Sequence, residues 1–321
     1  MPEIVACNLC GNAECDPLYR KPDVLYYPNE WFDIVLCRSC DLAFVSPRPK
    51  QDEMKRFYPP EYFDLFFAKR PKFTGERHLK QLKSITGLNR NASKRLLDIG
   101  CANGDFPRLA IESGWQAEGL ETAENVALRN DVRIYRSLET ISTENQYDII
   151  TAWGVLEYLH DPMAYFKGIA DHLAPNGAFV FAGSNLDSIS ARHLFGVDTP
   201  RALHIFGRKA IEAYARRNGL VVESMTADDT IYGMTPIHWL RYFMRRSLGL
   251  RPLRWEELPE TPGQYLRRKG IPPSFKAIMN YALSHPLTAL DRALAPAYAK
   301  LQMLCNNYGI ANYTLRKRIQ D

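Results

Sequence analysis

The chain has 321 residues, 46% of them hydrophobic and 24% charged, with a mean hydropathy of −0.31. These are the proportions of a globular protein and exclude a disordered, collagen-like or membrane-spanning chain. The formal net charge of +5 is unevenly placed, because residues 236–321 carry 14 Lys and Arg against 5 Asp and Glu.

The length predicts roughly two domains. No window holds 18 uninterrupted apolar residues, and the N-terminus lacks a basic-then-apolar signal pattern, so the expected residence is cytoplasmic. Cys7-Asn-Leu-Cys10 and Cys37-Arg-Ser-Cys40 are two Cys-x-x-Cys knuckles separated by 26 residues. This arrangement lets four thiolates close a tetrahedron around one Zn²⁺, whereas a redox dithiol would make one of the two pairs redundant. With four protein ligands the metal has no open position, and its role is structural or substrate-positioning. Cys15 falls outside both knuckles as a spare thiol. A zinc ribbon over residues 1–48 is therefore expected, ended by Pro47 and Pro49, which prevent regular strand pairing. Residues 49–93 read as helix and loop rich in aromatics (Phe57, Tyr58, Tyr62, Phe63, Phe66, Phe67). They either pack between two domains or form a lid over a ligand.

Arg95-Leu-Leu-Asp-Ile-Gly-Cys-Ala-Asn-Gly-Asp105 is a short apolar strand entering a glycine-rich turn, with helical character from Phe106 to Ser113. Small residues there let backbone N–H groups and a helix N-terminus approach a ligand. Trp115 to Leu120 is a second strand, ending at Glu121, where a carboxylate can accept both hydroxyls of a ribose. Asp105 stands where a nicotinamide-binding turn wants glycine, which argues against that cofactor.

Asp98-x-Gly100-x-Ala102-x-Gly104 with Glu121, then Tyr147 to Pro162, then Leu173 to Phe181, together resemble the class I S-adenosylmethionine-dependent methyltransferases, in order, over residues 94 to about 227. The resemblance implies an α/β fold with a Rossmann-like seven-stranded sheet. It further implies that Gly100, Ala102 and Gly104 shape the turn around the methionine portion of S-adenosylmethionine, that Asp98 reaches its ammonium, and that Glu121 holds the ribose. Leu138, in Ser137-Leu138-Glu139, takes the adenine-contact position, and Trp153-Gly154 closes over the methionine end. The family's Glu-His after the fourth strand reads Glu157-Tyr158 here. The order of ribbon and methyltransferase also resembles a bacterial group that includes methyltransferases of sugar nucleotides and surface-polysaccharide precursors.

Ligands of a doubly wound sheet gather at the carboxyl ends of the strands, which singles out Tyr158, His160, Asn185, Asp187, Arg201 and His204 on the acceptor side. His204 is the best general-base candidate, because an imidazole titrates near neutral pH; the alternative is that it caps or packs on the helix near Arg208. Arg201 suits an acceptor phosphate or carboxylate. The methyltransferase-like domain is placed at 94–229, a basic helical insertion at 230–308 and the last strand at 309–321. Trp239 to Arg246 is basic and amphipathic, and Phe275 to Leu304 makes two helices broken at Pro286. The insertion is a cap on the sheet, a face for anionic acceptors or nucleic acid, or an interfacial helix at a membrane. A small-molecule acceptor, a sugar or glycan precursor, is the favoured partner; RNA and a non-catalytic cofactor-binding role are the competing readings.

Overall fold

The structure is a computed structural model. It describes residues 2–23, 25–59, 62, 71–83, 94–124, 126–193, 198–228, 239–250, 265–266, 268–272 and 274–317. Phe63, Phe66 and Phe67 of the aromatic segment, and residues 251–264 of the helical insertion, lie outside them.

Three strands, β1 (Cys15–Pro22), β2 (Trp31–Cys37) and β3 (Ala43–Val45), form an antiparallel meander in which Cys15 stands opposite Cys37. Alternation along β2 buries Phe32 and Ile34, as expected of a sheet with one face on a core, while Cys37 is buried at the end of the strand. Helix α1 (Pro71–Lys83) then leads to β4 (Arg95–Ile99), the glycine turn and α2 (Asp105–Glu112). The remaining core elements are β5 (Gln116–Leu120), β6 (Ile134–Tyr135), β7 (Tyr147–Trp153), α3 (Pro162–His172), β8 (Leu173–Ser184), α4 (Ile189–His193), β9 (His204–Ile205), α5 (Arg208–Arg217) and β10 (Leu220–Thr226). Helices α6 (Trp239–Ser247), α7 (Phe275–Ser284) and α8 (Pro286–Leu304) precede the last strand, β11 (Ile310–Lys317).

The main sheet has seven strands in the order β10-β11-β8-β7-β4-β5-β6. Its central pairs are parallel, and β11 runs antiparallel to both neighbours. This is the expected Rossmann-like methyltransferase sheet. Strands β7 and β8 read as nearly unbroken apolar runs because helices cover both faces. On one face Phe166 of α3 meets Phe179 and Phe181 edge-on and stacks on Tyr214 of α5 at 5.0 Å. Local sequence sets the start of α3, where Asp161 caps Ala164 N and Pro162 fills the first turn.

One pairing departs from the sequence reading. The short strand β9 joins β3 antiparallel, so the ribbon sheet has the order β1-β2-β3-β9 and takes its fourth strand from the methyltransferase part.

Candidate functional site

The glycine turn crosses the carboxyl ends of β4 and β5. Gly100 and Gly104 hold φ of +69° and +93°, and a Cβ at Gly100 would run into Val155. Ala102 itself sits at φ +50°, a position open to a small L-residue at some cost. Glu121, at the end of β5, accepts Ala102 N at 3.0 Å through Oε2 and Ala123 N at 2.8 Å through Oε1. Burial pushes its carboxyl upward against those two hydrogen bonds. Asp98 is buried in β4 and accepts the Thr151 hydroxyl of β7 at 2.6 Å. Burial drives its carboxyl up to about 8, partly offset by Thr151. Leu138 lies in a short 3₁₀ turn beyond β6 and is buried. Gly154, at φ +64°, donates its N–H to Ala182 O at 2.8 Å beside the end of β7.

Sequence reading missed two groups near these strand ends. Trp153 stacks flat on the buried ring of His78 from α1, with centroids 4.2 Å apart. Both His78 nitrogens and Trp153 Nε1 are buried with no hydrogen-bond partner. Glu157 is buried with Oε2 unpartnered against Gly183, and burial raises its carboxyl to about 7. Glu157 is visible in the sequence, but its desolvation depends on β8 packing and carries no local signal. Tyr158 is half-buried, and its hydroxyl is held well above its ordinary range by burial and by Tyr62, Glu157 and Asp198 nearby.

The other acceptor-side candidates require correction. His204 lies in β9, opposite Phe44 of the ribbon, with its ring against Phe206. It is buried in the seam between the ribbon and the main sheet, where burial, then Arg48 and His160, lower it to about 3. A neutral imidazole enclosed in that seam, with its Nδ1 buried and unpartnered, favours packing over the base role expected of it. Arg201 is fully buried and spends its guanidinium on Asp23 (2.8 Å), Asp198 (2.7 Å) and the Phe57 carbonyl (3.2 Å), leaving no fork for an acceptor. Asn185 is buried, donating to Tyr308 O and accepting Asp187 N. His160 lies against the Pro49 carbonyl at 3.2 Å, while its own carbonyl accepts from Arg48. Those two residues join the elements of the fold.

The four expected metal ligands do converge. The sulfurs of Cys7, Cys10, Cys37 and Cys40 all lie within 4.8 Å of one another, with Cys7 to Cys40 at 3.4 Å and Cys10 to Cys37 at 3.5 Å. Tetrahedral zinc thiolates need sulfurs about 3.8 Å apart, given Zn–S bonds of about 2.3 Å, so the donor set fits. The two knuckles are built alike. Gly11 and Asp41 both take positive φ and donate N–H to Cys7 O and Cys37 O. Between the first pair, Asn8 reaches across to the main domain: its Nδ2 donates to Asp161, and its Oδ1 accepts Met163 N and the Tyr214 hydroxyl.

The chain matches the family model described as a methyltransferase domain over residues 68–225. A ubiquinone biosynthesis O-methyltransferase of Idiomarina loihiensis is 29% identical over 130 residues, covering 35% of this chain and 53% of that protein. Another of the same name, from Stutzerimonas stutzeri, is 26% identical over 181 residues, covering 47% and 78%. The chain thus spans about half the length of the first of these relatives. Among solved structures, an S-adenosylmethionine-dependent methyltransferase from Archaeoglobus fulgidus is 15% identical, covering 80% of this chain and all of that one, with a TM-score of 0.47. The seven-stranded order and the glycine turn agree with that methyltransferase-domain match over residues 68–225.

Proposed function

We propose that the protein transfers the methyl group of S-adenosylmethionine to a small-molecule acceptor, a sugar, nucleotide sugar or glycan precursor. The observation that carries this reading is the glycine turn set between Asp98 and Glu121 on adjacent parallel strands. In the proposal Gly100, Ala102 and Gly104 admit the cofactor backbone, Asp98 meets its ammonium, and Glu121 meets the ribose hydroxyls. Leu138 lies against the adenine, and Trp153 and Gly154 bound the methionine end. The four cysteines hold one structural Zn²⁺, with no open coordination position.

The sulfonium is already a strong electrophile, so the protein must align acceptor, methyl carbon and sulfur in line and exclude water. For a hydroxyl acceptor the oxygen lone pair forms the O–CH₃ bond, the CH₃–S bond breaks toward sulfur, and the proton must leave the oxygen. Glu157 replaces His204 as the proposed receiver of that proton: it is buried, has a free oxygen, and sits near neutrality, where a general base works best. Tyr158 stays a neutral hydroxyl beside it.

The test is transfer of labelled methyl from S-adenosylmethionine into cell extract fractionated into polar metabolites, lipids and RNA. Label in polar metabolites or lipid-linked sugars is expected, rising with pH through about 7, and Glu157→Gln should lower turnover by on the order of 10²-fold while cofactor binding persists. Label confined to nuclease-sensitive material would overturn the small-molecule reading.

A further inference from the structure

The helical insertion turns its apolar side outward. In α7, Phe275, Ile278, Met279 and Leu283 recur at i, i+3, i+4 and i+8, one stripe of a helix. A stripe of that kind normally faces a core. Here Phe275 and Leu283 are 82% and 74% exposed, while Tyr281 on the other side is the buried residue. Helix α8 repeats the arrangement, burying Thr288, Asp291, Ala295 and Ala299 and exposing Leu287, Leu290, Leu301 and Leu304. Phe243, Met244, Leu248 and Leu250 are exposed on and just after α6. Apart from this insertion, the exposed large hydrophobics among the described residues are few and scattered (Ile4, Leu25, Val221). Scattered single residues are ordinary, but apolar stripes left exposed on helices that pack on one another are not.

Charge selects the occupant. Residues 230–308 carry eleven Lys and Arg against four Asp and Glu. Among the described residues of 239–304 the acid is Asp291, and it is buried, accepting the N–H of Leu240 and pairing with Arg241 at the start of α6. Exposed cations of the same insertion include Arg246, Lys269, Lys276, Arg292 and Lys300. Two copies of so cationic a face repel each other. Exposed aliphatic and phenyl groups on a unit with so strong a cationic excess match a bilayer with anionic headgroups, which takes the side chains into its acyl boundary and the cations at its phosphates. Among the described residues no helix is long and apolar enough to cross a membrane, so contact of this kind lies along the surface.

We propose that α6, α7 and α8 form a face that docks the protein on anionic lipid. The inner side of the same unit packs on the site, because Ala299 and Tyr308 share a cluster with Ala182 and with Trp153 at the end of β7. Docking therefore sets the methyl-transfer end of the sheet close to the lipid.

The test floats the full chain with vesicles of phosphatidylcholine containing about a third phosphatidylglycerol, and with phosphatidylcholine alone. Binding to the anionic vesicles is expected, weakened on the order of tenfold without the anionic lipid or in about 0.5 M salt. Phe275→Glu with Leu283→Glu should lower it at least about tenfold, with the circular dichroism spectrum and cofactor affinity of the parent. If that variant misfolds, Lys269→Glu with Lys276→Glu serves in its place. No flotation with anionic vesicles overturns the proposal, as does flotation that a folded variant leaves unchanged. A concentration-dependent dimer that dissociates on Leu283→Glu, without flotation, overturns it in favour of a second copy. None of these readouts depends on methyl transfer, so failure here is separable from failure of the enzyme reading.

Discussion

Asp98 is a carboxyl that burial keeps largely protonated at neutral pH, since its value in the folded chain is about 8. In the proposed role it meets an ammonium, which favours the ionised form. Cofactor binding at pH 7 is then expected to release close to one proton, and affinity should rise with pH between about 6 and 8 before levelling off. Calorimetry in two buffers of different ionisation enthalpy reads this directly, and Asp98→Asn should abolish the release. The sign for stability runs the other way. A carboxyl raised on folding contributes its full stability below its unfolded value, near 4, and loses it as pH climbs through about 8. The cofactor-free domain should therefore weaken across that window. His204 shows what an isolated residue conceals, because its neighbours Leu203, Ile205 and Phe206 form too short an apolar run to declare a strand. Its true partner, Phe44, stands far back in the chain.

Elements that depend on residues a few positions apart were legible: the knuckle spacing, the strand entering the glycine turn, and the break at Pro286 between α7 and α8. The elements that join the modules were not. Arg201 reads as a surface or acceptor arginine until the fold brings Asp23 to it across 178 residues. Burial alone would raise the Asp23 carboxyl, but Arg201 and the amides of Leu25 and Tyr26 hold it below its usual range. Removing the cation would leave the fully buried Asp23 carboxylate without its bidentate partner, beside the partly exposed Asp198. Arg201→Met is therefore expected to cost about 3–5 kcal/mol in denaturant unfolding, with cofactor affinity changed by less than about twofold. An unfolding midpoint equal to the parent's would show that the pair contributes little.

At the scale of the molecule, the ribbon and the main sheet hold each other through the cysteine knuckles. Asn8 braces the start of α3, Arg217 donates to the Leu9 carbonyl, and Lys209 pairs with Asp41 at 2.7 Å. Purified protein is expected to carry about one equivalent of zinc, and chelation should lower its melting temperature and loosen residues 157–163 in hydrogen exchange. Fewer than about half an equivalent, with no change on chelation, would remove the metal reading.

The shared sheet also bears on synthesis. A ribosome releases β1 to β3 early, yet β9, which completes their sheet, is made roughly 160 residues later. Until then β3 offers an open edge, the kind of surface that invites pairing with other chains. The nascent N-terminal module must wait for most of the methyltransferase domain before it closes. A cut placed between ribbon and sheet would leave the first piece with an unfinished edge and the second with an orphaned strand.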